Sequence, residues 1–128
     1  MTARKLVIVV DDDRSMLRSV ERLLKAHGFD VAVFDRVEDF LARANLCEAA
    51  CLVLDIQLDP DGMSGIELRR RLTLSGIELP VIFITGNDSA RSRQAATEAG
   101  CSAYLPKPFA AASLIDAINA PGQPRTAG

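Results

Sequence analysis

The chain has 128 residues, 48% of them apolar and 25% charged, enough for one compact domain with a sizeable core and too few for two ordinary ones. Its 17 acidic and 15 basic side chains leave a formal charge of -2 and are mixed along the sequence, so direct binding of nucleic acid by this chain is not expected. Apolar runs such as Leu6 to Val10 and Val81 to Ile84 fall far short of the roughly 20 residues a membrane helix needs. Met1 to Lys5 has no signal-peptide layout, and a soluble, cytoplasmic protein with no membrane partner is expected. Cys47, Cys51 and Cys101 are read as reduced thiols in apolar surroundings. A zinc-type site wants paired short spacings and several histidines, whereas the chain holds only His27.

In chain order, Leu6 to Val10 is a continuous aliphatic run rich in β-branched residues, the pattern of a strand covered on both faces. From Ser15 to Ala26 the apolar positions Met16, Val20, Leu23 and Leu24 recur at helical spacing, and Gly28 supplies a stop. Val31 to Phe34 predicts a second strand, and Val37 to Ala44 a short helix with Phe40 and Leu41 facing inward. Cys51 to Leu54 predicts a third strand ending at Asp55, followed by a loop from Gln57 to Ser64 rich in Asp, Pro and Gly. Ser64 and Glu67 have capping-box spacing before a helix from Gly65 to Leu74. Val81 to Ile84 predicts the fourth strand, Asp88 or Ser89 a cap for an alanine-rich helix ending near Ala99, and Cys101 to Leu105 a weaker fifth strand. After Pro106-Lys107-Pro108, Ala110 to Asn119 predicts a last helix, and residues 121–128 a tail poor in apolar side chains. Five strand patterns alternating with five helix patterns predict a parallel sheet with helices on both faces, one domain over residues 1–120.

In such a sheet the ligand site lies beyond the carboxyl ends of the strands. The residues there are polar: Asp11, Asp12 and Asp13 after the first strand, Asp55 after the third, Thr85 after the fourth and Lys107 after the fifth. Carboxylates converging at one rim repel each other unless a cation sits between them. An all-oxygen donor set suits Mg²⁺ (or Mn²⁺) better than zinc or copper. A carboxylate can attack phosphorus once the phosphoryl oxygens are neutralised, and Asp55, alone at the end of a central strand, fits that role. Lys107 can pair with the carboxylate and then with a phosphoryl oxygen, and the Thr85 hydroxyl can bond another. Taken one at a time these residues have plainer readings: an Asp run as a helix cap, Asp55 as a turn residue, Lys107 as a surface lysine. Their shared place at the strand ends of one βα chain favours the common site.

Val9-Val10-Asp11-Asp12-Asp13, Asp55, Ile84-Thr85-Gly86 and Tyr104-Leu105-Pro106-Lys107-Pro108-Phe109 resemble the motifs of response-regulator receiver domains, over Lys5 to about Ala120. The resemblance implies a flavodoxin-like (βα)₅ fold of strand order 2-1-3-4-5, and a phosphoryl group passed to Asp55 from a sensor histidine kinase or phosphotransfer protein. It implies Asp12, Asp55 and the backbone carbonyl of Gln57 as direct Mg²⁺ ligands, with Asp11 acting indirectly and Asp13 just outside the pair. It implies that Thr85 and Tyr104 relay phosphorylation to the surface of the fourth helix, fifth strand and fifth helix, a possible homodimer face, and that the Lys107-Pro108 peptide is cis. It also implies a switch rather than an enzyme, limited to its own phosphoryl transfer and slow dephosphorylation.

The family's loop runs Asp-x-x-Met-Pro-x-Met-x-Gly, whereas Asp55 to Gly65 is two residues longer here and carries Asp59 and Asp61 beside Pro60. Cation binding is expected to survive because Gln57 precedes the insertion. Two competing readings are an aspartyl-nucleophile phosphohydrolase, which wants a second Asp where Gln57 stands, and a pseudo-receiver that only binds a partner, which a missing acid or lysine would favour. The resemblance leaves two settings open, a stand-alone adaptor and the receiver part of a longer regulator.

Overall fold

The structure, a computed structural model, describes residues 4–58 and 63–120. Asp59, Pro60 and Asp61 of the lengthened loop and the tail 121–128 lie outside the described residues. Along the chain run β1 (Leu6–Val10), α1 (Arg14–Ala26), β2 (Asp30–Phe34), α2 (Val37–Arg43), a short 3-10 turn (Leu46–Glu48), β3 (Ala49–Asp55), α3 (Gly65–Leu74), β4 (Val81–Thr85), α4 (Ala90–Ala99), β5 (Ala103–Pro106) and α5 (Ala111–Asn119). The strands form one sheet in the order β2-β1-β3-β4-β5, and every pairing is parallel. This is the (βα)₅ arrangement the sequence implied. No helix among the described residues is long and apolar enough to cross a membrane.

Strand side chains alternate between faces, so the aliphatic runs feed two separate cores. Ile8, Val10, Leu52, Leu54, Val81 and Phe83 pack on one side with Phe40 of α2, Leu68 and Leu72 of α3, and Ala96 of α4. Val7, Val9, Cys51, Val53, Ile82 and Ile84 pack on the other with Leu17, Val20 and Leu24 of α1, and Leu114 and Ile118 of α5. The three central strands are buried on both faces because helices cover both.

Local chemistry sets the helix ends. Asp13 caps α1 by accepting from the N–H groups of Ser15 (3.0 Å) and Met16 (3.2 Å). Ser64 caps α3 through the Glu67 N–H and Ser89 caps α4 through the Ser92 N–H. Gly28, at φ +88°, ends α1 in a conformation that L side chains rarely adopt, with its N–H on the Lys25 carbonyl.

Two expectations need correcting. Leu41 does not face inward with Phe40: it is 51% exposed, while Phe40 is buried and meets the Phe34 ring edge-on at 5.9 Å. A seven-residue helix on a sheet edge turns only one narrow stripe to the core, and residue 41 falls off it. The cysteines do not share one environment either, since Cys47 is exposed, Cys101 half-buried and Cys51 buried. Burial pushes the Cys51 thiol up to about 12. All three are free thiols.

Candidate functional site

The register of the central strands assembles the site. β1 and β3 pair with Val10 opposite Leu54, so the next residues, Asp11 and Asp55, leave the sheet side by side on the same face. β3 pairs with β4 at Asp55 and Ile84, and β4 with β5 at Thr85 and Pro106. Lys107 is held next to that rung by its N–H, which donates to the Thr85 carbonyl at 2.7 Å. The Lys107-Pro108 peptide is cis.

The lysine crosses the rim to both acids. Its Nζ lies 2.9 Å from Asp11 Oδ2 and 3.1 Å from Asp55 Oδ2. Asp11 is fully buried, Asp55 is 4% exposed and Thr85 is fully buried; no other polar or charged residue among the described ones is buried to that degree. Two carboxylates removed from water beside one ammonium give a strongly coupled triad. Burial pushes the Asp55 carboxyl up to about 6, and the Asp11 charge adds to the rise against the Gln57 N–H and Lys107. Desolvation works against the Lys107 ammonium, but its bonds to Asp11 and Asp55 outweigh it and hold its pKa above the ordinary lysine value.

Asp12 stands on the exposed side of the same corner. Desolvation and then the Asp11 charge raise its carboxyl pKa above the usual value. Asp11, Asp12 and Asp55 each offer a carboxylate oxygen, and these oxygens lie within 4.8 Å of one another. Three oxygen donors with no nitrogen or sulfur, two of them nearly dry, fit a hard divalent cation such as Mg²⁺. Gln57 is exposed, and its N–H donates to Asp55 Oδ1 at 2.9 Å, fixing the rotamer of that carboxylate. The Asp13 N–H does the same for Asp11 Oδ1 at 2.9 Å. Both acids thus keep Oδ2 for Lys107.

Thr85 Oγ accepts from the Asn87 N–H at 3.0 Å, which ties the hydroxyl to the loop that opens α4. Tyr104 is half-buried one strand away, and its hydroxyl donates to Asp88 Oδ1 at 3.0 Å. Asp88 is also gripped by Arg93, whose Nε and Nη2 each lie 2.9 Å from its oxygens and whose guanidinium stands 5.4 Å from the Tyr104 ring centroid.

Asp11, Asp12, Asp55 and Lys107 therefore meet, with the Gln57 backbone bonded to Asp55; Thr85 closes the rim, and Tyr104 stands apart with Asp88. The sequence did not single out the bond between Lys107 and Asp11, although strand alternation puts Asp11 rather than Asp12 on the Asp55 face. It also missed the Asp88 and Arg93 partners of Tyr104. Their Asp88-x-x-x-x-Arg93 spacing joins a loop residue to a helix residue, so no periodic pattern reveals it.

The same chain matches known proteins over nearly its whole length. The family model described as response regulator receiver domain matches residues 7–119. The transcriptional regulatory protein TdiR of Thauera aromatica is 35% identical over 114 residues, covering 89% of this chain and 49% of that protein. Nodulation protein W of Bradyrhizobium diazoefficiens is 34% identical over 117 residues, covering 91% and 51%. The chain thus spans about half the length of the curated relatives it matches. Among solved structures, FixJ-N is 35% identical with a TM-score of 0.80, covering 91% of this chain and 92% of that one. The BeF3-activated DrrB receiver domain is 33% identical with a TM-score of 0.78, covering 88% and 92%. With its parallel five-stranded sheet and its buried acid pair on one lysine, the chain belongs to the response regulator receiver domain family.

Proposed function

We propose that this receiver domain is a phosphorylation switch in which Asp55 accepts a phosphoryl group from a phosphohistidine of a sensor histidine kinase or phosphotransfer protein. The observation that carries the reading is Lys107 Nζ at 2.9 and 3.1 Å from the carboxylates of Asp11 and Asp55. An Asp55 oxygen attacks phosphorus, the P–N bond to the donor imidazole breaks, and its electron pair stays with that ring nitrogen, which takes up a proton. Asp12, Asp55 and the Gln57 carbonyl would hold Mg²⁺ (or Mn²⁺), with Asp11 acting indirectly; when bound, the cation neutralises phosphoryl oxygens as the carboxylate approaches. Lys107 gives up its bond to Asp55 and meets a phosphoryl oxygen, remaining paired with Asp11. The Thr85 hydroxyl donates to another oxygen.

An apolar groove of about 510 Å³ between α1 and the β5–α5 connection, lined by Met16, Val20, Leu23, Pro108 and Phe109, also includes Lys107. This continuity with the acid pair supports docking of the phosphodonor there. Thr85 and Tyr104 carry the signal to the face formed by α4, β5 and α5, where a partner, an output domain or a second copy would read it. The switch acts in the cytoplasm and catalyses only its own phosphoryl transfer and slow hydrolysis.

Incubation with acetyl phosphate and Mg²⁺ adds the mass of one phosphoryl group in a base-labile bond, and Asp55→Asn abolishes it. Stoichiometric labelling of the Asn variant rules the assignment out and would favour another acceptor. Absence of labelling in the natural protein, with Mg²⁺ bound, favours a pseudo-receiver.

A further inference from the structure

We propose that Gly65 is a positioning residue for the phosphoacceptor: by having no side chain, it lets the first turn of α3 lie flush against the backbone of Asp55 and Ile56 and so fixes where the Asp55 carboxylate and the Gln57 carbonyl stand. The inference rests on the reading of Asp55 as phosphoacceptor. Gly65 is buried, and its N–H donates to the Ile56 carbonyl at 2.8 Å. A Cβ at this position would overlap the Asp55 carbonyl oxygen and would lie 3.0 Å from the Asp55 carbonyl carbon and 3.2 Å from Ile56 Cα. All three are backbone atoms and cannot rotate away as a side chain would.

Space is the reason for glycine here, since its φ lies outside the left-handed region and alanine is the better helix former. Nor can the crowding be relieved cheaply on either side. The strand exit is held from behind by the Ile56 N–H on the Ile84 carbonyl at 2.9 Å. The helix is held by Ile66, Leu68 and Leu72, all buried in the core. A side chain at position 65 therefore pushes the Asp55–Ile56 peptide, and with it the 3.1 Å contact from Lys107 and the 2.9 Å bond from the Gln57 N–H. These are the groups whose spacing sets the reaction, and misplacement by about 1 Å costs on the order of 100-fold in rate.

The test compares Gly65→Ala with Leu72→Ala, which removes a buried side chain from the same helix about two turns on. Both variants are expected to melt earlier than the natural protein. Under conditions where both are folded by circular dichroism, only Gly65→Ala is expected to bind Mn²⁺ more weakly, by water-proton relaxation, and to label with acetyl phosphate on the order of 100-fold more slowly at saturating Mg²⁺. Gly65→Ala with the cation affinity and labelling rate of Leu72→Ala overturns the proposal. Should Gly65→Ala not fold, the natural protein decides. Addition of Mg²⁺ and beryllofluoride is expected to shift the Gly65 amide resonance, and slow its exchange, more than that of Leu68; equal responses overturn the proposal. A natural protein that neither binds Mn²⁺ nor labels brings down the phosphoacceptor reading itself, a result distinct from either.

Discussion

Tyr104 and Asp88 are joined by a 3.0 Å hydrogen bond from the phenol to the carboxylate, between the last strand of the sheet and the loop that opens α4. Arg93 completes the cluster with two contacts to the same carboxylate and its guanidinium 5.4 Å from the ring centroid. Tyr104 is thus held by charged groups of the β4–α4 segment, which also carries the Asn87 N–H bonded to Thr85. Any movement of that loop acts on both residues of the proposed relay at once.

The cluster sets how Tyr104 titrates. Desolvation and then the bond to Asp88 raise its pKa above 10.0. The folded protein favours the neutral phenol, so the stability this contributes is complete below the unfolded value near 10 and disappears as pH rises through the higher folded value. Because the chain has one tyrosine and no tryptophan, alkaline absorbance follows this group alone. The midpoint is expected above 10 in the natural protein and closer to 10 in Asp88→Ala; identical midpoints would show that the carboxylate does not govern the ring.

Removing Lys107 leaves Asp11 and Asp55 facing each other, nearly free of solvent, with no counter-charge. Lys107→Ala is expected to lower stability at neutral pH by on the order of 3 kcal/mol in urea denaturation without divalent cation. The loss is expected to shrink as pH falls through about 6, where the Asp55 carboxyl takes up a proton, and to shrink on adding Mg²⁺. A loss independent of both pH and Mg²⁺ contradicts the electrostatic account.

The two faces of α2 separate in mutation cost. Phe40→Ala empties a fully buried position against Phe34 and is expected to cost about 3–5 kcal/mol. Leu41→Ala, at an exposed position, is expected to stay within about 0.5 kcal/mol. Thermal melts of the pair check the assignment, and similar costs would mean that Leu41 packs inward.

Thiol reagents are expected to distinguish the three cysteines. Cys47 is exposed and should react first, Cys101 is half-buried with its pKa raised by desolvation, and Cys51 is buried with its thiol pushed up to about 12. Mass mapping after brief alkylation at neutral pH should find Cys47 modified and Cys51 untouched until denaturant is added. Early modification of Cys51 would contradict its burial.

Much of this molecule was determined along the chain. The aliphatic runs at Leu6 to Val10, Cys51 to Leu54 and Val81 to Ile84 specify strands buried on both faces, and the polar residues that end them, Asp11, Asp55 and Thr85, mark the rim, because hydrophobic periodicity is a local property of sequence. The cap at Ser64 was legible for the same reason, and that of α4 was narrowed to Asp88 or Ser89, of which Ser89 takes the place. What tertiary structure decided depends on register and distance between segments far apart in sequence. Pairing of Val10 with Leu54 placed Asp11, rather than Asp12, beside Asp55 on Lys107. Leu41 and Phe40, neighbours with similar hydrophobicity, parted because only one of them meets Phe34. Asp88 became a partner of Arg93 and Tyr104 besides preceding the cap, and Gly65 proved to be a point of backbone contact with Asp55. Sequence periodicity says which residues leave a strand or line a helix; which of them touch is fixed only when the sheet closes and the helices pack, since each contact depends on the positions of two separate backbones.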